Sequence, residues 1–179
     1  VTEDSASISE FQVLCDGQQL KVPSREEDPS VEEFYTASSS YGEGYEAAQA
    51  FDGDFTTRWN AGDYVPNPHW LQMAFGEVRS VDSVKIYEHL NRITSYEIQY
   101  WEDGDWKTAA TGTTIGEEGV TLNFDPVETS RIRLYIKDTN DYCPTIWEIE
   151  VYDQGEKIQP KPVEEEPYDG SYLEYTVPE

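Results

Sequence analysis

The residues best suited to chemistry lie in the run Ala50-Phe51-Asp52-Gly53-Asp54-Phe55-Thr56-Thr57-Arg58-Trp59. Two carboxylates bracket a glycine, a threonine follows three residues after the second, and large aromatics interleave. Gly53 permits a tight turn in which neighbouring carbonyl oxygens converge. Carboxylate, hydroxyl and carbonyl oxygens gathered in this way suit Ca2+, which takes about six to eight oxygen ligands in flexible geometry. The segment is not an EF-hand loop, because the glycine and the terminal glutamate stand in the wrong places. Taken alone, it reads equally well as an ordinary Asp-Gly turn with exposed acids.

Enzyme signals are poor. The chain has no G-x-S-x-G elbow, no H-E-x-x-H, no Walker loop and no metal-ligating cluster of His and Cys. Gly42-Glu43-Gly44 precedes the Asp-Gly run and does not sit between a strand and a helix, so it is not a nucleotide motif. A pair of carboxylates for glycoside hydrolysis is always available among 37 acids, but nothing in the sequence places such a pair in a cleft. The polar and aromatic residues left over cluster in three inter-strand loops. These are Asn60 to His69, Glu88-His89-Leu90-Asn91-Arg92, and Asp138 to Pro144.

The elements that must position these loops are strands. Ser83–Tyr87, Tyr96–Trp101, Val120–Phe124, Arg131–Ile136 and Ile146–Tyr152 all alternate apolar with polar residues. Period two over five to seven residues means strands with one face buried. Glu102-Asp103-Gly104-Asp105, Ile115 to Gly119 and Asp125-Pro126 read as the turns between them, and the one helical signal is a short turn around Glu46 to Ala50. Many short strands with almost no helix predict an all-β, antiparallel β-sandwich.

The chain of 179 residues is long enough for one ordinary domain with tails. Its 37 Asp and Glu against 12 Lys and Arg give a net charge of −25, carried even by the middle of the chain. With 13 Tyr and 5 Trp it is no disordered acidic tract. The charge argues against nucleic acid and against anionic membranes as partners, and favours metal cations or neutral and basic ligands. No apolar run approaches the roughly 20 residues of a membrane helix. The sequence opens at Val1 without an initiator Met and reads as a piece of a longer protein. Cys15 and Cys143 could form one disulfide outside the cell or remain two buried thiols.

Ser7–Leu14 repeats the pattern of Thr145–Tyr152, at an offset equal to a domain plus a linker. Residues 1–30 are therefore expected to hold the closing strand of a preceding copy and a linker; two amphipathic strands sharing a pattern by chance is the plain alternative. Residues 31–153 form the domain. Residues 154–179 read as an acidic, Pro-containing linker, with Ser171–Val177 as the start of a further β-domain.

Ala37 to Ser40, the run Ala50–Trp59, His69-Trp70-Leu71-Gln72-Met73, the strand and Asp-Gly turn of Tyr96–Trp106, and the last two strands from Arg131 to Tyr152 together resemble a discoidin (coagulation factor 5/8 type C) domain. The likeness covers roughly residues 31–152 and is greatest to the bacterial family 32 carbohydrate-binding modules attached to glycoside hydrolases. It implies a jelly-roll sandwich of about eight strands with one structural Ca2+. The ion would be held by the Asp52 carboxylate, the carbonyls of Gln49 and Asp54, the Thr57 hydroxyl, and the Trp147 carbonyl and Glu148 carboxylate at the start of the last strand. Glu148 interrupts an apolar strand beginning, where an unpaired buried acid would be costly.

The resemblance further implies that the three loops meet at one end of the sandwich and hold a sugar. Sugars need a flat apolar surface and planar hydrogen-bonding groups. Tyr64 or Tyr142 could supply the surface, and His69, His89, Asn91 and Arg92, with Glu88, the polar contacts. Glu88 and Arg92 could instead form an ion pair closing their loop, and His69 could cap a strand; Trp59, Trp70 and Trp106 are expected to be packing residues. The family implies a non-catalytic, secreted or surface-displayed bacterial module with covalently linked neighbouring domains. Its glycan would be a galactoside, N-acetylhexosamine or fucoside. A discoidin-type adhesion domain binding a protein partner is the alternative.

Overall fold

The computed structural model describes residues 14–15, 18–19, 34–63, 65–140 and 143–160. Strands β1 (Leu14–Cys15) and β2 (Gln18–Gln19) pair as a separate two-stranded hairpin. The rest of Ser7–Leu14, the segment Ser171–Val177 and the Cys15 side chain lie outside the described residues.

The body contains β3 (Tyr35–Ala37), β4 (Trp59–Asn60), β5 (His69–Glu88), β6 (Ile93–Glu102), β7 (Asp105–Gly112), β8 (Val120–Thr139), β9 (Thr145–Asp153) and β10 (Glu156–Lys157). These eight strands are connected in the order β10-β9-β5-β8-β6-β7, with β3 on β5 and β4 on β9, and every pairing is antiparallel. The helical turn expected near Glu46 is a 3-10 helix at Ala47–Ala50, the one helix among the described residues.

β5 and β8 run side by side for 20 residues each, yet they serve two layers. The early half of β5 pairs with β3 and with the late half of β8, which continues to β6 and β7. Its late half pairs with β9 and the early half of β8. Register breaks between Ala74 and Arg79, and between Val81 and Ser83, bend both strands at the crossing. Bulges of this kind sharpen the local bend and twist. Leu71, Ile98, Ile132 and Leu134 from one layer thereby meet Val84, Ile149 and Val151 from the other. Alternation is the cause: Ile132, Leu134 and Ile136 are buried at every second position of β8.

One expected turn is absent. Asp125-Pro126 lies inside β8 and does not reverse the chain, because Asn123 pairs with Ser83 and Val127 with Val81, leaving three residues opposite one. A proline lacks the N–H a ladder requires, and a bulge is where a strand tolerates it. The Asp103-Gly104 turn forms as expected, with φ of 51° and 80° suited to a tight hairpin. A similar Gln154-Gly155 turn returns the chain into β10, after which Ile158 packs into the core at 3% exposure.

Two glycines in the loop before β8 provide a paired test. Gly116 and Gly119 both have φ of +76°, but only Gly119 is crowded: a Cβ there would stand 2.6 Å from Tyr87 Cδ1 and 2.9 Å from the Ile86 carbonyl. Gly116→Ala should cost about 1–2 kcal/mol for the left-handed backbone alone. Gly119→Ala should cost about 2–4 kcal/mol through added overpacking. Urea denaturation of both variants checks this, with equal losses counting against the packing of Tyr87 over Gly119.

Candidate functional site

The run Asp52 to Thr57 folds as consecutive side-chain-capped turns. Asp52 Oδ1 accepts from the Asp54 N–H at 2.8 Å, and Asp54 Oδ1 accepts from the Thr56 N–H at 2.8 Å and its hydroxyl at 2.7 Å. These bonds hold the exposed Asp54 carboxyl below its ordinary range. Gly53 makes the turn at φ +78°. The Thr57 hydroxyl then lies 2.8 Å from Asp52 Oδ2, 2.8 Å from the Asp54 carbonyl and 3.4 Å from the Gln49 carbonyl. One hydroxyl carries one proton and can satisfy only one of these three acceptors. Four oxygens so converged suit a hard cation better than they suit each other.

Glu148 approaches the same turn from β9. It is fully buried, with Oε2 accepting from the Gly53 N–H at 3.1 Å and Oε1 lying 3.4 Å from Lys157 Nζ. Burial raises its pKa, the Gly53 N–H and Lys157 oppose that rise, and Asp52 adds to it. Gln49, Asp52, Asp54, Thr57 and Glu148 are thus brought together. Among the described residues no group of three or more His, Cys, Asp and Glu could hold a metal; this donor set is two carboxylates with carbonyl and hydroxyl oxygens. The Trp147 ring turns the other way, edge-on to His89 at 4.7 Å with the Arg58 guanidinium 5.3 Å from its centre.

The other three loops surround a pocket of about 770 Å3. His69, His89 and Arg92 line it. Asn60, Asp63, Val65 to Asn67, Thr139, Cys143 and Thr145 line it as well, together with Tyr41, Tyr45 and Arg58. Tyr64 and Tyr142 lie outside the described residues.

Backbone bonds stitch the loops together. The His89 N–H donates to the Thr145 carbonyl at 3.0 Å, Ala61 N–H to the Pro144 carbonyl at 3.1 Å, and Asn140 N–H to the Arg92 carbonyl at 2.8 Å. Arg92 Nη1 donates to the Cys143 carbonyl at 2.9 Å and to Thr145 Oγ1 at 3.2 Å, while the Thr145 hydroxyl donates to Asn60 Oδ1. Cys143 Sγ lies 3.4 Å from both the Gly62 carbonyl and Asp63 Oδ1.

Glu88 and Asn91 serve the pocket from outside its lining. Glu88 is fully buried, and its carboxylate accepts the N–H groups of Arg92 at 2.5 Å, Ile93 at 2.7 Å and Gly116 at 3.2 Å. It therefore shapes the loop through the backbone. Asn91 is exposed with φ +46°, and its carbonyl accepts from the Asn140 amide at 3.2 Å.

His69 is 2% exposed, and its Nδ1 is buried without a hydrogen-bond partner among the described residues, as is that of His89. Burial lowers both imidazole pKa values, and at His89 the Arg58 and Arg92 charges lower it further. Both rings are thus held neutral and can offer an acceptor as well as a donor.

Tyr41, Tyr45 and Arg58 are pocket-lining positions that sequence reasoning missed. Tyr41 is 55% exposed and edge-on to Tyr45 at 5.7 Å, and Arg58 lies between the Tyr45 ring at 5.1 Å and Trp147. The available signal was two tyrosines flanking Gly42-Glu43-Gly44. Of the tryptophans, Trp59 is fully buried and donates to the Ser39 carbonyl at 2.9 Å. Trp106 is only half-buried, packed edge-on to Trp101 at 5.3 Å and beneath the Arg133 guanidinium at 4.0 Å.

Comparison with known proteins agrees with this geometry. The model of the F5/8 type C domain matches residues 35–149. Chitosan-binding module 1 of a Paenibacillus chitosanase/glucanase is 34% identical over 66% of this chain and 93% of that module, with a TM-score of 0.62. Module 2 of the same enzyme, solved with chitotriose, is 29% identical over 66% and 95%, with a TM-score of 0.61. The family 32 module of Clostridium perfringens NanJ, solved with galactose, is 27% identical over 66% and 92%, with a TM-score of 0.59. No curated protein matches. The family match spans most of the body, and the chain belongs to the F5/8 type C domain family.

Proposed function

We propose that this domain is a non-catalytic carbohydrate-binding module, carried by a secreted or surface-displayed bacterial protein and directing its linked domains to glycans. The observation that carries the reading is the loop pocket, where neutral His69 and His89, the Arg92 guanidinium and the Asn60 amide converge beside the exposed Tyr41 ring. Planar donors and acceptors beside an aromatic ring are what a pyranose recognises, with hydroxyls on one side and C–H groups on the other. The module-type relatives solved with galactose and chitotriose support it. The candidate sugars are galactosides, N-acetylhexosamines, fucosides and amino sugars. A site with one ring platform and a few net hydrogen bonds supports a Kd of about 0.1–1 mM.

The second part of the proposal is one structural Ca2+. The Asp52 and Glu148 carboxylates, the Gln49, Asp54 and Trp147 carbonyls and the Thr57 hydroxyl would hold it. The ion would supply positive charge to a converged set of oxygens and would not react. Its effect on the sugar site runs through the chain: Thr57 precedes Arg58, whose guanidinium forms part of the pocket wall. Tightening the turn would fix that wall.

Two measurements test these readings. On a glycan array with Ca2+ present, binding should appear for at least one of the four sugar classes. Arg92→Ala should weaken it about ten- to a hundredfold and Tyr41→Ala roughly tenfold, with both variants folded at the assay temperature by circular dichroism. A blank array from folded protein, also blank by calorimetry at millimolar sugar, would turn the reading towards protein adhesion. Independently, with Ca2+ at about a hundred times its Kd, chelation should lower Tm by about 5–10 °C. An unchanged Tm would remove the ion from the account.

A further inference from the structure

Lys157 stands beside the proposed ion site for reasons of chain geometry. The Gln154-Gly155 turn, with φ of 48° and 84°, sets β10 in register with β9, so that Lys157 pairs with Tyr152. The next residue is anchored, since the Ile158 N–H donates to the Val151 carbonyl at 2.8 Å and its side chain is buried. The lysine side chain then reaches along the edge of β9. Its Nζ lies 3.2 Å from Glu150 Oε1 and 3.4 Å from Glu148 Oε1, and the side chain is 30% exposed.

Glu148 is therefore shared. One oxygen faces the ammonium of Lys157 and the other accepts the N–H of Gly53, the residue at the centre of the Asp-Gly turn. A fully buried carboxylate needs compensation whether or not a metal is present. With no ion, the described neighbours that supply it are Lys157 and the Gly53 N–H, against the opposing charge of Asp52. With an ion bound, the same ammonium becomes a like charge close to a divalent cation.

We infer that Lys157 is a resident cation that competes electrostatically with Ca2+ for Glu148, stabilising the metal-free domain and setting the ion affinity below what the oxygen cage alone would give. This rests on the calcium reading above. It makes the metal-free state folded and the ion exchangeable. Loss of the lysine charge weakens the metal-free fold yet tightens ion binding, a pattern that a lysine serving only to pack the hairpin would not produce.

The test compares the full 179-residue chain with its Lys157→Met, Lys157→Arg and Lys107→Met variants, by calorimetric Ca2+ titration at neutral pH and low ionic strength. Thermal melts in chelator and in saturating Ca2+ accompany it. Lys157→Met should bind Ca2+ about tenfold more tightly. The gain should shrink at about 0.15 M salt, because the ammonium is partly exposed. Its Tm should fall in chelator, while in saturating Ca2+ the loss should be smaller. Lys157→Arg keeps the charge and should bind as the parent does. Lys107 pairs with exposed Asp105 on β7, so Lys107→Met should leave Ca2+ affinity unchanged and excludes a general effect of net charge. Unchanged or weaker Ca2+ binding by Lys157→Met, with the parent still binding, overturns the inference alone. Absence of Ca2+ binding in the parent and every variant overturns the calcium reading and the inference with it.

Discussion

Two carboxylates buried at one end of the sandwich organise everything that can bind. Glu88 ends β5 and Glu148 lies on β9 directly opposite Tyr87, one position before it. Neither is exposed. A charge taken out of water at that depth is tolerated only when its lone pairs are met by good donors. The donors here are chiefly loop backbones: the N–H groups of Arg92, Ile93 and Gly116 for Glu88, and that of Gly53 for Glu148, whose second oxygen faces the Lys157 ammonium. Each acid thus converts the position of a strand end into the conformation of a loop. The pocket loop and the Asp-Gly turn lie at the same end because the two acids that anchor them sit on paired strands.

That arrangement depends in turn on the bent pairing of β5 with β8. A flat pair of 20-residue strands would leave one face of each half exposed. Breaking register at residues 75–78 and 124–126 lets the late half of β5 turn beneath the early one, so that both halves bury their alternate residues in one core. The pocket opens where strand ends from both layers come together. His69 comes from the start of β5, Thr139 from the end of β8 and Thr145 from the start of β9. Its floor is therefore rigid sheet, while its walls are loops tied down by backbone hydrogen bonds.

The strands were legible because period-two alternation is enforced by burial of one face, and the alternating segments from Ser83 to Tyr152 all lie within strands. Asp125-Pro126 was misread because a turn and a bulge both favour a proline beside a short acid, and only the partner strand decides between them. The oxygen cage was legible at Asp52 to Thr57, where its donors are close in sequence. Glu148 was found through its awkward place in an apolar strand and the family resemblance. Glu88 shows the opposite difficulty. It follows a strand and precedes polar residues, so its charge suggested a contact to ligand, whereas its partners are backbone groups four, five and 28 residues away. Tyr41 and Arg58 escaped notice because the pocket joins them to Arg92 and Thr145, a relation that no local spacing encodes.

The charge of the pocket runs against that of the chain. A molecule of net charge −25 places two guanidiniums, Arg58 and Arg92, in one cavity where Asp63 is the single acid among the described lining residues. Both arginines are fixed before any ligand arrives, one between aromatic rings and the other on the Cys143 carbonyl and Thr145 hydroxyl. Ordering a long side chain on binding costs about 0.5–1.5 kcal/mol, and here that ordering is already complete. Pre-fixed donors favour ligands rich in acceptors, such as sugar hydroxyls. The surrounding acidity at the same time discourages the polyanions that bare arginines would attract. The contact area is still only that of a shallow loop pocket, so single-site affinity stays modest. Where such a pocket is linked to other binding units, a second site engages at the effective concentration set by the linker.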